Sequence, residues 1–184
     1  MYMSFENLNS LIPLLIGGLS YLGVSRIFVG SKKQGGFSTL EHELTHAFFA
    51  LLTFHKIGGI QTTATGGGVI QILGGSNWLI LISPYFFPTI SFLLMLLLIL
   101  VGAQNQITSG FLLGFSIFYH FVSTKHELHR QQTDLIKVSF LFTLLFLPGA
   151  NLFCYGILFT FSVSGVDGVI NYLTLVYFTI TSFL

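Results

Sequence analysis

From Ile57 to Thr124 the chain carries no aspartate, glutamate, lysine or arginine, and from Val138 to Val166 there is again none. Stretches of that length cannot cover a water-facing surface. Soluble domains carry about 25% charged residues, whereas this chain has 7%, with 53% apolar residues and 21 phenylalanines among 184 positions. The high apolar content excludes disorder. A net charge of +1 without a basic run excludes nucleic acid as a partner. A single cysteine, Cys154, excludes an internal disulfide framework. The length is that of one domain. Residues 1–184 therefore read as a single integral membrane domain whose environment is the lipid bilayer.

A helix needs about 20 apolar residues to cross a bilayer. The windows that approach this are 11–29, 38–57, 79–101, 107–122, 133–147, 150–164 and 169–184. Pro148-Gly149 marks a clear break, and Ser164 to Gly168 a softer one. The expected fold is all-α and polytopic, with about six transmembrane helices. Met1 to Ser10 has no basic segment of the kind that opens a cleaved signal, so 11–29 is expected to remain as a span. Six of the seven basic residues fall in two places, Arg26, Lys32 and Lys33, then Lys125, Arg130 and Lys137. The positive-inside rule puts both on the cytoplasmic side.

Between residues 58 and 78 lies a glycine-rich stretch without charge. Ile60 to Thr65 and Val69 to Leu73 are β-prone runs on either side of Gly66-Gly67-Gly68. They predict a short hairpin. Irregular backbone at membrane depth must be buried in protein or line a wet cavity; a plain extracytoplasmic loop is the alternative.

The chemistry concentrates in His42-Glu43-Leu44-Thr45-His46. On a helix, residues four apart share a face, so both imidazoles can reach one Zn²⁺. Glu43 follows the first of them and can serve as general base for the attacking water. Two histidines and a glutamate are costly inside a membrane and point to function. Glu41 faces elsewhere, as a support for the ligands or a solvent group. His55 and Lys56 read as interfacial.

A catalytic zinc takes three protein ligands and keeps one position open. The third has to come from His120, His126, Glu127, His129 or Asp134. Asp134 stands at the mouth of the apolar run Leu135 to Leu147, where it is either a ligand or a first-turn helix acid. His120, near the end of the aromatic-rich stretch Phe115 to Phe121, is the competitor. In one straight helix the two would lie about 21 Å apart, so they converge only if the chain turns within 123–132. His126, Glu127 and His129 sit among polar neighbours and read as a solvated face. Pro84 and Pro88, in Ser83-Pro84-Tyr85-Phe86-Phe87-Pro88, predict an interrupted span bordering the site.

These residues resemble a known family. His-Glu-Leu-Thr-His-Ala early in a span, a glycine-rich stretch and then S-P-Y-x-x-P are similar to the M50 family of membrane metallopeptidases, the site-2-protease type. The run His120-x-x-x-Thr124-x-x-Glu127 … Gln132-Thr133-Asp134-Leu135 resembles a pattern of small bacterial M50-like proteins. The resemblance spans about residues 37–140. It implies zinc held by His42, His46 and Asp134, Glu43 as general base, and cleavage of a membrane-protein substrate in or near a transmembrane segment. The chain's compactness suits a bacterial inner membrane. Two features depart from the family pattern: Leu135 rather than glycine follows Asp134, and the length leaves no room for a PDZ-like insert.

If 38–57, 79–101 and 107–122 all cross fully, His42 and Asp134 fall towards opposite faces. A partial crossing by residues 58–78, or by another short segment, would bring them together. A metal-binding or transport protein without hydrolysis is the main alternative, since intramembrane histidines and acids also line ion paths. A silent scaffold held by polar contacts is the third reading.

Overall fold

The computed structural model describes residues 11–28, 33–62, 68–102, 106–128 and 132–183. In chain order these form α1 (Leu11–Phe28), α2 (Lys33–Leu52), β1 (Lys56–Thr62), β2 (Gly68–Leu73), α3 (Trp78–Ile82), a 3-10 turn (Ser83–Tyr85), α4 (Thr89–Leu100), α5 (Gln106–Glu127), α6 (Thr133–Val138) and α7 (Phe140–Thr181). His129 lies outside the described residues.

Two helices among the described residues, α5 and α7, are long and apolar enough to cross a membrane. The pair of Trp78–Tyr85 and Thr89–Leu100 makes a third if the two halves are one span. The apolar part of α1, Leu11–Arg26, is shorter, and α2, with Glu41 and Glu43, is not in the set. The expected windows are redistributed. Residues 150–164 and 169–181 fall in α7, which bends at Ser164 and Gly165. Gly165 takes φ 61°, ψ −145°, a region open to glycine. The break expected at Pro148-Gly149 does not occur, because α7 continues through Pro148. Proline forfeits one helical hydrogen bond, and the Asn151 amide anchors this stretch by donating to Leu147 O at 2.9 Å and Tyr85 O at 3.1 Å. The true break is Ser139, at φ 94°, which splits the expected 133–147 window into α6 and the start of α7.

The chain forms two compact units. One is drawn from α1, α4, α5 up to Tyr119 and α7 from Leu152. Its core is Leu98, Leu113, Leu158 and Phe161. In it α1 and α5 meet backbone to backbone. A Cβ at Gly17 would lie 2.0 Å from Phe111 O, and one at Gly114 would lie 2.0 Å from Leu14 O. Close approach through small residues is how helices associate where lipid removes the hydrophobic drive. Tyr21 adds an edge-on contact with Phe115, ring centres 5.2 Å apart.

The other unit holds α2, the hairpin, α3, the 3-10 turn, the end of α5 from His120, α6 and α7 up to Asn151. The predicted hairpin is present, antiparallel, with Ile60 opposite Ile70 and Thr62 opposite Gly68. β1 starts earlier than its β-prone run because a bulge between Ile57 and Gly59 lets pairing continue to Lys56–Leu73; an extra residue in one strand is absorbed in this way. Ile70 and Ile72 share the half-buried face of β2, as a period of two requires. On α2, Phe37, Leu40, Leu44, Phe48 and Leu51 are exposed, while His42, Glu43, Thr45, His46 and Phe49 are buried. The helix therefore turns its polar residues inward and an apolar stripe outward, the reverse of a soluble amphipathic helix.

Candidate metal centre

The site is built within this second unit. One turn of α2 separates His42 from His46, and their ring centres lie 4.7 Å apart, edge to face. Each Nδ1 has a fixed partner. His46 Nδ1 donates to Ile80 O at 2.7 Å. His42 Nδ1 bonds Glu127 Oε2, also at 2.7 Å. The two Nε2 atoms are thereby turned to one point, where Asp134 Oδ2 stands 3.6 Å from His42 and 3.4 Å from His46.

The irregular S-P-Y-x-x-P segment explains the Ile80 contact. Asn77 caps α3, its Oδ1 accepting from Ile80 N at 2.9 Å. After five residues the helix tightens into Ser83–Tyr85, with Pro84 in the turn. This places Ile80 O beside His46, where it also accepts from Ser83 Oγ at 2.9 Å. Tyr85 packs edge-on against the His42 ring, centres 5.4 Å apart. An aromatic cluster of Trp78, Phe86, Phe142 and Phe146 ties α3 and the turn after it to the start of α7. The expected border element is thus real.

Asp134 lies in the first turn of α6, a helix separate from α5, which ends at Glu127; Gln132, just before α6, is extended. A straight helix through 115–147 is excluded, and with it the separation that would have kept Asp134 away from the histidines. The competitor His120 goes elsewhere. Its Nδ1 is 3.9 Å from Glu41 Oε1, and both residues are buried. With Ser38, Thr45 and Ser123 they border a second cavity of about 10 Å³, enough for about one water. Glu41 is therefore not a solvent group.

Of the residues assigned to a solvated face, His126 is exposed, at the wall of the main cleft. Glu127 needs correction: it is half-buried and holds His42. Polar neighbours in sequence hid this role. The usable signal was the need of a ligating histidine for a partner on its second nitrogen.

The cleft has a volume of about 620 Å³. His42, Glu43, His46 and Asp134 line it on one side and Gly68 to Ile72 of β2 on the other, with Lys137 also in its wall. The hairpin sits directly on Glu43. A Cβ at Gly68 would lie 2.4 Å from Thr39 Cγ2 and 2.8 Å from Glu43 Cγ, so only glycine allows this approach. Glu43 is buried and close to both rings, but its carboxylate is not one of the three converging donors.

Among the described residues, one group of three or more such side chains has geometry that could hold a metal ion: His42, His46 and Asp134, with donor atoms within 4.8 Å of one another. Two imidazoles and a carboxylate beside a buried glutamate are the residue types that a metal-dependent hydrolase requires. Residues 34–181 match the Peptidase M50B-like family, and the chain belongs to it. Neither a curated protein nor a solved structure matches the chain.

Proposed function

We propose that the protein is a zinc-dependent intramembrane endopeptidase. It hydrolyses peptide bonds in or near the transmembrane segments of membrane-protein substrates. The observation that carries this reading is the convergence of His42 Nε2, His46 Nε2 and Asp134 Oδ2 beside Glu43. Donors about 2.0–2.1 Å from a tetrahedral zinc lie about 3.3 Å from one another, and the two histidine–aspartate separations are 3.6 and 3.4 Å. Two imidazoles and a carboxylate also form a donor set that suits zinc. Bound there, zinc would polarise the scissile carbonyl and acidify the attacking water.

The chain's own residues do the rest. Glu43 takes a proton from the water as its oxygen bonds to the carbonyl carbon. Glu43 then returns that proton to the amide nitrogen as the carbon–nitrogen bond breaks. β2 is paired with β1 on one side and lines the cleft. An unwound substrate segment lies along the cleft edge of β2 as an added strand, held by main-chain hydrogen bonds. This requirement selects substrates whose helix opens easily near the cut. The apolar helices fix the protein in a bilayer, and that bilayer is a bacterial inner membrane.

The test is cleavage of a transmembrane substrate by the purified protein in vesicles. Glu43→Gln should keep zinc and lose cleavage. Unchanged cleavage would remove this mechanism. Zinc uptake into vesicles that survives Glu43→Gln would point instead to a transporter.

A further inference from the structure

His42 and His46 are held by different kinds of partner. His46 depends on the backbone, through Ile80 O at 2.7 Å. His42 depends on a side chain, Glu127, from the last turn of α5. That side chain is itself held at both oxygens. Oε2 meets His42 Nδ1 at 2.7 Å. Oε1 accepts from Ser38 Oγ. Ser123 Oγ shares its one proton between Ser38 Oγ and, at 3.4 Å, Oε1. The spacing is regular: Ser38 lies one turn before His42 on α2, and Ser123 one turn before Glu127 on α5. Residues four apart share a helix face, so two ridges meet in one four-residue network.

We propose that Glu127 is a positioning residue for the metal centre, with Ser38 and Ser123 holding it in place. The proposal rests on the zinc reading above. By accepting from Nδ1–H, Glu127 fixes the His42 tautomer and aims Nε2 at Asp134. Its negative charge makes the ring a stronger donor. Carboxylate partners of this kind contribute about 10–100-fold to metal affinity. His46 needs no such carboxylate, because Ile80 O already sets its tautomer. The two ligands therefore differ in what maintains them, and the site should be sensitive to α5 through His42 alone.

The test is zinc affinity of the full chain in detergent, measured by competition with a chromophoric chelator. Glu127→Ala should bind zinc about 10–100-fold more weakly than the unsubstituted protein. Glu127→Gln, which still accepts from Nδ1–H but lacks the charge, should recover part of the loss. Nitrogen NMR of the histidine rings should show His42 losing its fixed Nδ1–H form in Glu127→Ala while His46 keeps its own. A role in helix packing alone would leave that signature intact. If Glu127→Ala loses helicity, the double variant Ser38→Ala with Ser123→Ala leaves the carboxylate present but unanchored, and should weaken zinc several-fold. Affinity equal to the unsubstituted protein in the folded Glu127→Ala, or in the double variant where that one is unfolded, overturns the proposal and leaves the metal site standing. Absence of zinc binding in the unsubstituted protein overturns both.

Discussion

Asp134 Oδ2 stands 3.4 Å from His46 Nε2, although the hairpin, α3, α4 and α5 all lie between their helices in the chain. In the proposed zinc site this contact assigns the third donor to Asp134 and not to His120. Structural zinc sites bind with about 10–16 kcal/mol, so one ligand in four is worth about 3 kcal/mol, or about a hundredfold in Kd. Asp134→Ala should weaken zinc by about that factor or more. His120→Ala should leave zinc affinity unchanged, because its partner is Glu41. Calorimetric or chelator titration of both variants separates the two, and the reverse ranking would hand the third position to His120.

Gly68 lets β2 rest on the residue proposed as the base. Gly68→Val would press on Thr39 and on Glu43, whose Cγ lies 2.8 Å from the added Cβ. A misplacement of about 1 Å at a catalytic group costs about a hundredfold in rate. The expected result is a kcat lower by about that factor, with zinc still bound at one per chain. Measuring turnover and zinc content on the same preparation checks it. Full activity would mean that the hairpin does not rest on Glu43 during turnover.

The backbone contact between α1 and α5 predicts a stability effect remote from the site. Gly114→Leu must displace Leu14, whose O would be 2.0 Å from the new Cβ. Overpacking of this kind costs about 1–3 kcal/mol. Gly23→Leu is the control, since nothing lies within 4 Å of its added Cβ. Thermal unfolding in detergent should show a lower midpoint for the first and little change for the second.

Removing the metal should abolish cleavage reversibly. A dipicolinate-type chelator should stop turnover and added zinc should restore it, with helix content largely kept, because apolar contacts hold the helices. At free zinc a thousandfold above Kd, binding should stabilise the fold by about 4 kcal/mol. An unfolding midpoint indifferent to zinc would argue against a bound ion.

The sequence by itself fixed what is local. The spacing of His42, Glu43 and His46 sets their places on one helix whatever packs against it, and the glycine triplet between two β-prone runs was enough to predict a hairpin. The charge-free stretches specified a membrane environment, because no packing arrangement can supply missing surface charge. Asp134 was legible only as one of several candidates. Its approach to the histidines required α5 and α6 to be separate helices, and nothing in residues 115–147 dictates that break by glycine or proline. Pro148 misled, because a proline can be carried through a helix anchored by Asn151, whereas Ser139 gave no warning of its break. Glu127 was hidden by its polar neighbours until α2 and α5 were seen to meet. Periodicity reports which residues share a face of one element. Which two faces touch is decided by side-chain packing between distant parts of the chain, and this alone brought Asp134 and Glu127 to the two histidines.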